Sequence, residues 1–249
     1  MNKLKTQSLV CGLLSIALFY ISWGISQFIS IEMHYPLLSS LLFSIVFTGI
    51  IGCFLPLYLK NRFRWDYNKP SLNRVSGYLF LLLAITFSTL LSGALFKVVK
   101  LEYARIMILK YILLFFPMSL GIGLFAFLLI PNMIQDWQSS KPKSVLLVIS
   151  IGIFFFLAFY VDSLFQDMAL AGTMGLIGLL LGLSYLFLGN FWVVCSALFI
   201  IMIVNTLADN KYDDYNYWIV IVSTLLSLTI LMLDFTKNKN KNNLISSRE

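Results

Sequence analysis

Stretches free of Asp, Glu, Lys and Arg recur along the chain, separated by short polar or basic links. They run from Ser8 to Phe28, Pro36 to Leu59, Val75 to Phe96, Tyr111 to Gln135, Ser144 to Val161, Met168 to Gly189, Phe191 to Ala208 and Tyr215 to Leu233. A helix crosses the hydrocarbon core of a bilayer with roughly 20 apolar residues, so each stretch reads as a membrane span. No charge separates the sixth and seventh, and only Gly189-Asn190 marks a turn. The segment from 168 to 208 is too long for one ordinary span, and a tight helical hairpin is expected there. The pattern predicts an all-α, polytopic transmembrane helical bundle of about eight spans. It forms one domain over residues 1–235, followed by a polar, lysine-rich tail over 236–249.

Composition excludes the alternatives. Of 249 residues, 59% are apolar and 12% charged, with a mean hydropathy of +0.88. So few polar groups cannot cover a soluble globule of this size. The net charge of +7 would point to nucleic acid on a soluble face, but the basic residues lie in short patches between apolar runs, where they act as topology signals. No nucleic-acid partner is expected.

With eight spans both termini share a side. Lys3, Lys5, Lys60, Arg62, Arg64, Lys69, Arg74, Lys141, Lys143, Lys237, Lys239, Lys241 and Arg248 fall on one side, against Lys97, Lys100, Arg105 and Lys211 on the other. The richer side should be cytoplasmic. The outer links then carry Glu32, Asp162, Asp167, Asp209, Asp213 and Asp214. The first span is long for a signal-peptide core and no A-x-A-like site follows it, so it reads as an anchor.

Trp65, Tyr67, Trp137, Trp192, Tyr215, Tyr217 and Trp218 sit near span ends, as expected of an interfacial aromatic belt. Cys11, Cys53 and Cys195 lie singly inside apolar runs and read as buried free thiols. Membrane lipid is the expected surroundings, with weak attraction between the lysine-rich tail and anionic lipid.

Ionisable residues inside a membrane normally mark proton relays, ion pathways and catalytic sites, yet the eight runs hold none, and the only histidine, His34, lies in a link. Neither a zinc site of His and Glu nor a Ser/His/Asp arrangement can be assembled from these residues. There is no GxSxG and no GxxxxGK[ST], so any ATP-driven role requires a separate ATPase. No catalytic, cofactor-binding or metal-binding residue is expected, and the chain reads as a non-enzyme.

Small residues mark helix faces. Gly172, Gly175, Gly178 and Gly182 recur at spacings of 3, 3 and 4, which places them along one face of the sixth span. Close packing on a neighbouring helix and a groove for an extended peptide are both compatible with that face. Gly49, Gly52 and Cys53 form a similar strip before Pro56, and Gly121 and Gly123 follow Pro117. Proline should kink both helices.

In the second half, Gly182-Leu-Ser-Tyr185 followed by Gly189-Asn-Phe-Trp192 is similar to the G-x-x-Y-x-x-x-G-N-x-W stretch of the CAAX-protease and bacteriocin-processing (CPBP) family of intramembrane metalloproteases. Pro117 and the run from Ile153 to Phe159 stand at spacings like those around that family's first two motifs. The resemblance covers about residues 110 to 208. It would put the family's paired glutamates and arginine at Leu120, Gly121 and Phe125, its second-motif histidine at Phe159, and its last histidine and asparagine at Leu198 and Met202. None of the expected residue types is present. Asn205 lies about a turn beyond and reads as a helix–helix hydrogen-bonding residue. The resemblance implies a catalytically dead member, and a role in bacteriocin self-immunity or membrane scaffolding in a bacterial cytoplasmic membrane.

Two classes of function remain: a non-catalytic protein that binds a peptide or a partner membrane protein, and an ABC-transporter permease subunit for peptide or lantibiotic export or immunity. For the second, the basic link from Lys60 to Arg74 would lie against the separate ATPase.

Overall fold

The structure, a computed structural model, describes residues 3–34, 36–91, 105–137, 143–209 and 217–246. Among them every element is helical. In chain order these are α1 (Lys3–Ile31), α2 (Pro36–Leu41), a first π-helical segment π1 (Leu42–Phe54), α3 (Leu55–Phe63), α4 (Arg74–Leu91), α5 (Arg105–Gly123), π2 (Leu124–Leu129), α6 (Ile130–Trp137), α7 (Lys143–Asp162), α8 (Met168–Leu188), α9 (Phe191–Asp209) and α10 (Tyr217–Ser246).

Five of these helical stretches are long and apolar enough to cross a membrane: Lys5–Ser30, Arg74–Leu91, Leu109–Gln135, Ser144–Asp162 and Met168–Leu188. Phe191–Val204 and Ile221–Thr236 are shorter apolar stretches among the described residues. The second charge-free run forms the α2–π1–α3 rod, and α10 continues through the expected boundary at residue 236 as far as Ser246.

The outside of the bundle is apolar. On α1, Val10, Leu14, Leu18, Ile21, Ile25 and Phe28 follow one another at spacings of three and four and are all exposed, while Ser8, Ser15 and Ser26 are buried. This inverts the face pattern of a helix in water and suits a helix bathed in hydrocarbon.

The two π segments share a cause. π1 ends at Phe54, two residues before Pro56, and π2 ends at Leu129, two residues before Pro131. Proline lacks the N–H of the helical ladder, and its ring crowds the carbonyl four residues earlier. Widened i→i+5 turns ahead of each proline absorb that insult without breaking the rod. Pro117 is instead carried inside α5 with no change of helix type.

The rods cross where side chains vanish. A Cβ on Gly52 would stand 3.2 Å from the Cα of Gly121, and one on Gly123 would stand 2.7 Å from the Cys195 sulfur. Around this crossing Phe19, Phe47, Phe125 and Phe154 fill the centre, joining α1, π1, π2 and α7. The Phe19 ring centroid lies 4.7 Å from Phe47, 4.6 Å from Phe125 and 5.3 Å from Phe154. Cys53 and Cys195 are buried free thiols, and Cys11 is half-buried.

Candidate functional site

The charge-free runs stop one residue short of the most informative cluster. Lys60 closes the second run and Asp234 follows the eighth, so both were expected outside the spans. Their side chains are only 6% and 3% exposed, and Lys60 Nζ stands 2.7 Å from Asp234 Oδ2. The same carboxylate accepts from Asn61 Nδ2 at 2.8 Å and from the Tyr67 hydroxyl at 2.6 Å. The Lys60 ammonium also sits 4.3 Å from the centroid of the Tyr67 ring, a cation–π contact. Burial, then the hydrogen bond and charge of Asp234, hold the Tyr67 phenol well above its ordinary pKa.

This cluster is the anchor of a larger polar cap. α3 ends at Arg64 in the left-handed conformation, and the basic link turns back over the bundle. Lys69 N–H donates to Gly189 O at 2.7 Å, Leu72 N–H donates to Phe187 O at 3.0 Å, and Tyr185 donates to Tyr67 O at 3.3 Å. Asn68 Oδ1 accepts from the Phe191 N–H at 3.2 Å. Lys69 Nζ donates to Asn132 Oδ1 and Gln135 Oε1, each at 2.6 Å, and Asn132 donates back to Asp66 O at 3.2 Å. The link is thereby stitched to α6, to the α8–α9 turn and, through Asp234, to α10.

Gly189 makes the stitching possible. Its φ is +64, and a Cβ there would collide with the Lys69 carbonyl oxygen, so both conformation and space require glycine. Asn190 then caps α9, its Oδ1 accepting from Trp192 and Val193 N–H at 3.0 and 3.3 Å. α8 and α9 are thus two helices joined by the expected Gly-Asn turn.

Two of the aromatic residues expected in the interfacial belt are engaged by the protein itself. Trp65 is only 5% exposed and stacks on Phe63, and Tyr67 is committed to Asp234. Folding the link back buries Trp65 and half-buries Tyr67, which local sequence near a span end does not reveal. Trp192 packs on Tyr67 and Phe235, with centroids 5.5 and 5.6 Å away. The side chains of Trp137, Tyr217 and Trp218, and residue Tyr215, lie outside the described residues.

The glycine face of α8 lies against α7. A Cβ on Gly178 would meet the Phe155 Cβ at 2.7 Å, one on Gly175 the Phe156 Cβ at 3.2 Å, and one on Gly182 the Ile151 Cβ at 3.4 Å. Gly172 faces open space. Gly152 contributes from the other side, where a Cβ would meet Leu179 at 2.5 Å. The backbone of Asn205 lies on α9, and its side chain is outside the described residues.

At the opposite end, Trp23 Nε1 and Gln27 Nε2 donate to Asp162 Oδ1 at 2.8 and 2.6 Å, pinning α1 to the end of α7. The α7–α8 connection passes through Leu164 and Phe165, both with positive φ, and Asp167 caps α8 by accepting from Leu170 N–H at 2.8 Å. Phe165 and Met168 beside it are 62% and 65% exposed. Asp213 and Asp214 lie outside the described residues, as does the side chain of Asp209.

The positions that the CPBP resemblance assigns to ligands hold packed apolar groups. Leu120, Phe125, Leu198 and Met202 are buried, Gly121 sits in the Gly52 crossing, and Phe159 packs edge-on against Trp23 at 6.0 Å. Among the described residues no group of three His, Cys, Asp or Glu side chains converges as metal ligands would. No family model, no curated protein and no solved structure matches the chain. The likeness to the CPBP family therefore rests on the residues quoted above alone.

Proposed function

We propose that this chain is a non-catalytic multi-pass protein of a bacterial cytoplasmic membrane, with eight spans and both termini cytoplasmic, that acts by binding a peptide or a partner protein. Self-immunity against a membrane-active peptide is the form of that role the residues favour. The observation that carries the reading is the state of Asp234. A carboxylate neutralised by an adjacent lysine and accepting two further hydrogen bonds is engaged in holding the fold, in contrast to the poised groups of an active site. The chemistry left over lies at the other end. There the exposed Glu32 and Asp167 stand at the same end as the exposed Phe165 and Met168. Acidic and apolar groups together suit an amphipathic cationic peptide, the acids raising its local concentration and the apolar groups its residence.

The test is expression of the chain alone in a host sensitive to a cationic membrane-active peptide from the same gene cluster. Protection is expected, and Glu32→Gln with Asp167→Asn should reduce it at low salt while insertion stays intact. Asparagine keeps the cap at 167, so loss of charge is separated from loss of the helix start. Absence of protection under all conditions would defeat the reading.

A permease subunit working with a separate ATPase is the second reading. It is favoured by Arg62, Arg64 and Arg74, which stand exposed on the capped basic link and the start of α4, where a soluble partner would meet them. Protection that appears only with a co-expressed ATPase would establish it in place of the first.

A further inference from the structure

A groove of about 300 Å³ runs between α4 and α9, lined by Leu81 and Ile85 on one side and by Trp192, Ser196, Ala197 and Ile200 on the other. Both helices start at the end of the bundle that carries the basic link. α4 opens at Arg74 just after Asn73, whose N–H donates to Phe187 O, and α9 opens at Phe191 just after the Gly189–Asn190 turn. The groove therefore runs from that end toward the middle of the bundle.

One face of α4 carries a graded stripe along this groove. Arg74, Tyr78, Leu81 and Ile85 are spaced at four, three and four residues, which aligns them on one side of the helix. Arg74 and Tyr78 are exposed, and the two apolar residues line the groove. At 1.5 Å per residue the stripe spans about 16 Å from arginine to isoleucine. Half the hydrocarbon core of a bilayer is about 15 Å. A cation, then a phenol, then an apolar slot one leaflet deep matches a phospholipid from headgroup to tail. Arg62, Arg64 and Arg74 are all exposed at this end, against Asp66 alone among the exposed acids of the link, so charge favours an anionic headgroup.

We propose that the α4–α9 groove is a binding site for one anionic phospholipid, with an acyl chain lying between Leu81, Ile85, Trp192 and Ile200 and the phosphate on Arg74. The indole of Trp192 and the phenol of Tyr78 stand at the level where amphipathic rings meet the headgroups. Ser196 and Ala197 leave the width for the chain. The inference rests on the protein's being in a bilayer and is independent of what it binds at the other end.

The test uses the full chain, delipidated and returned to nanodiscs of phosphatidylglycerol or phosphatidylcholine, with retained lipid counted by native mass spectrometry. One retained phosphatidylglycerol is expected, held about five-fold more tightly than phosphatidylcholine, the factor one arginine supplies at an anionic surface. Arg74→Gln should abolish the preference and leave tail binding, while Ser196→Trp should abolish retention of both lipids. Leu83→Trp, on the opposite face of α4, should change neither. A second measurement does not depend on those variants folding. Phosphatidylglycerol brominated on its acyl chain should quench a component of the tryptophan emission that Trp192→Phe removes. Equal retention of the two lipids would overturn the proposal. So would quenching unaffected by Trp192→Phe, or cross-linking between cysteines placed at Ser196 in two copies, which would show that a second chain covers the groove.

Discussion

Replacing Asp234 with alanine tests whether the cap is built as described. The substitution leaves Lys60, only 6% exposed on its side chain, as an uncompensated buried charge, and it strands the Asn61 and Tyr67 donors now 2.8 and 2.6 Å from the carboxylate. Breaking one half of a buried ion pair costs about 3–5 kcal/mol, of which the orphaned charge is the largest part. Asn61 is half-buried and can turn to solvent, so its loss adds little. A destabilisation of about 4 kcal/mol is expected for Asp234→Ala. The double variant Lys60→Met with Asp234→Leu removes both charges together and should recover most of that loss, because a buried pair is often no better than apolar groups of similar volume. Equilibrium unfolding in mixed micelles measures both, with Trp192 as a local reporter because its ring lies 5.6 Å from that of Phe235, next to Asp234. A cost below about 1 kcal/mol for the single variant, in the range of exposed pairs, would refute the burial of the pair. A double variant no better than the single one would refute the account of the loss as an orphaned charge.

Other outcomes follow from the same geometry. Gly178→Ala should destabilise by about 1–3 kcal/mol, because its Cβ would stand 2.7 Å from the Phe155 Cβ. Gly172→Ala, with nothing within 4 Å, should be neutral or stabilise by about 0.5–1 kcal/mol through helix propensity, and thermal unfolding of the two variants side by side checks this. Tyr67→Phe should cost about 1–3 kcal/mol by removing one donor from Asp234. Folding holds the Tyr67 proton more tightly than the unfolded chain does, so its contribution is complete below a pH of about 10 and is lost as the pH rises further. The alkaline loss of stability should accordingly be smaller in Tyr67→Phe. In a cysteine-free background, a membrane-impermeant thiol reagent added from outside should label a cysteine at Asp167 and miss one at Arg64, both exposed positions. The reverse pattern would invert the orientation.

The parts of this architecture legible in the sequence are those that depend on local composition. Runs without charge predict helices, and Gly189-Asn190 predicts the α8–α9 turn, because a left-handed residue and an N-cap are local requirements that only a few residue types meet. The glycine face of α8 is also legible as a face. Its neighbour is not, since nothing in the spacing says that Phe155 and Phe156 of α7 will fill the space. Pro56 announces a disturbed helix, while the form of the disturbance, a π segment ahead of each of Pro56 and Pro131, emerges only with the backbone.

Lys60 and Asp234 escaped for a physical reason. A criterion that ends a span at the first charge places every charge outside by construction, and it fails where two charges bury each other. The partners here are 174 residues apart, so neither looks paired in its own neighbourhood. The same long-range closure turns Trp65 and the Tyr67 hydroxyl inward, toward protein partners. The inference that the spans lack ionisable groups thus fails near span ends: the charges of Lys60 and Asp234 are paired and buried at one end, and Lys110 is buried at the start of the stretch Leu109–Gln135.

That distinction bears on where activity should be sought. Proton-coupled transport needs a carboxylate that exchanges protons as the protein cycles, and Asp234 is bound to a lysine, an amide and a phenol at once. Any movement that freed it would have to break the contacts with Lys60 and Asn61 of α3 and Tyr67 of the basic link together. At the opposite end the connection through Phe165 to Met168 is held by fewer tertiary bonds and presents acid and apolar groups to the surroundings. A ligand met there has little structure to displace. Glu32→Gln, the cap-preserving Asp167→Asn and substitutions at Met168 should therefore alter function with little change in stability, whereas those at Lys60, Tyr67 and Asp234 should alter stability first, with any functional loss following the amount of folded protein.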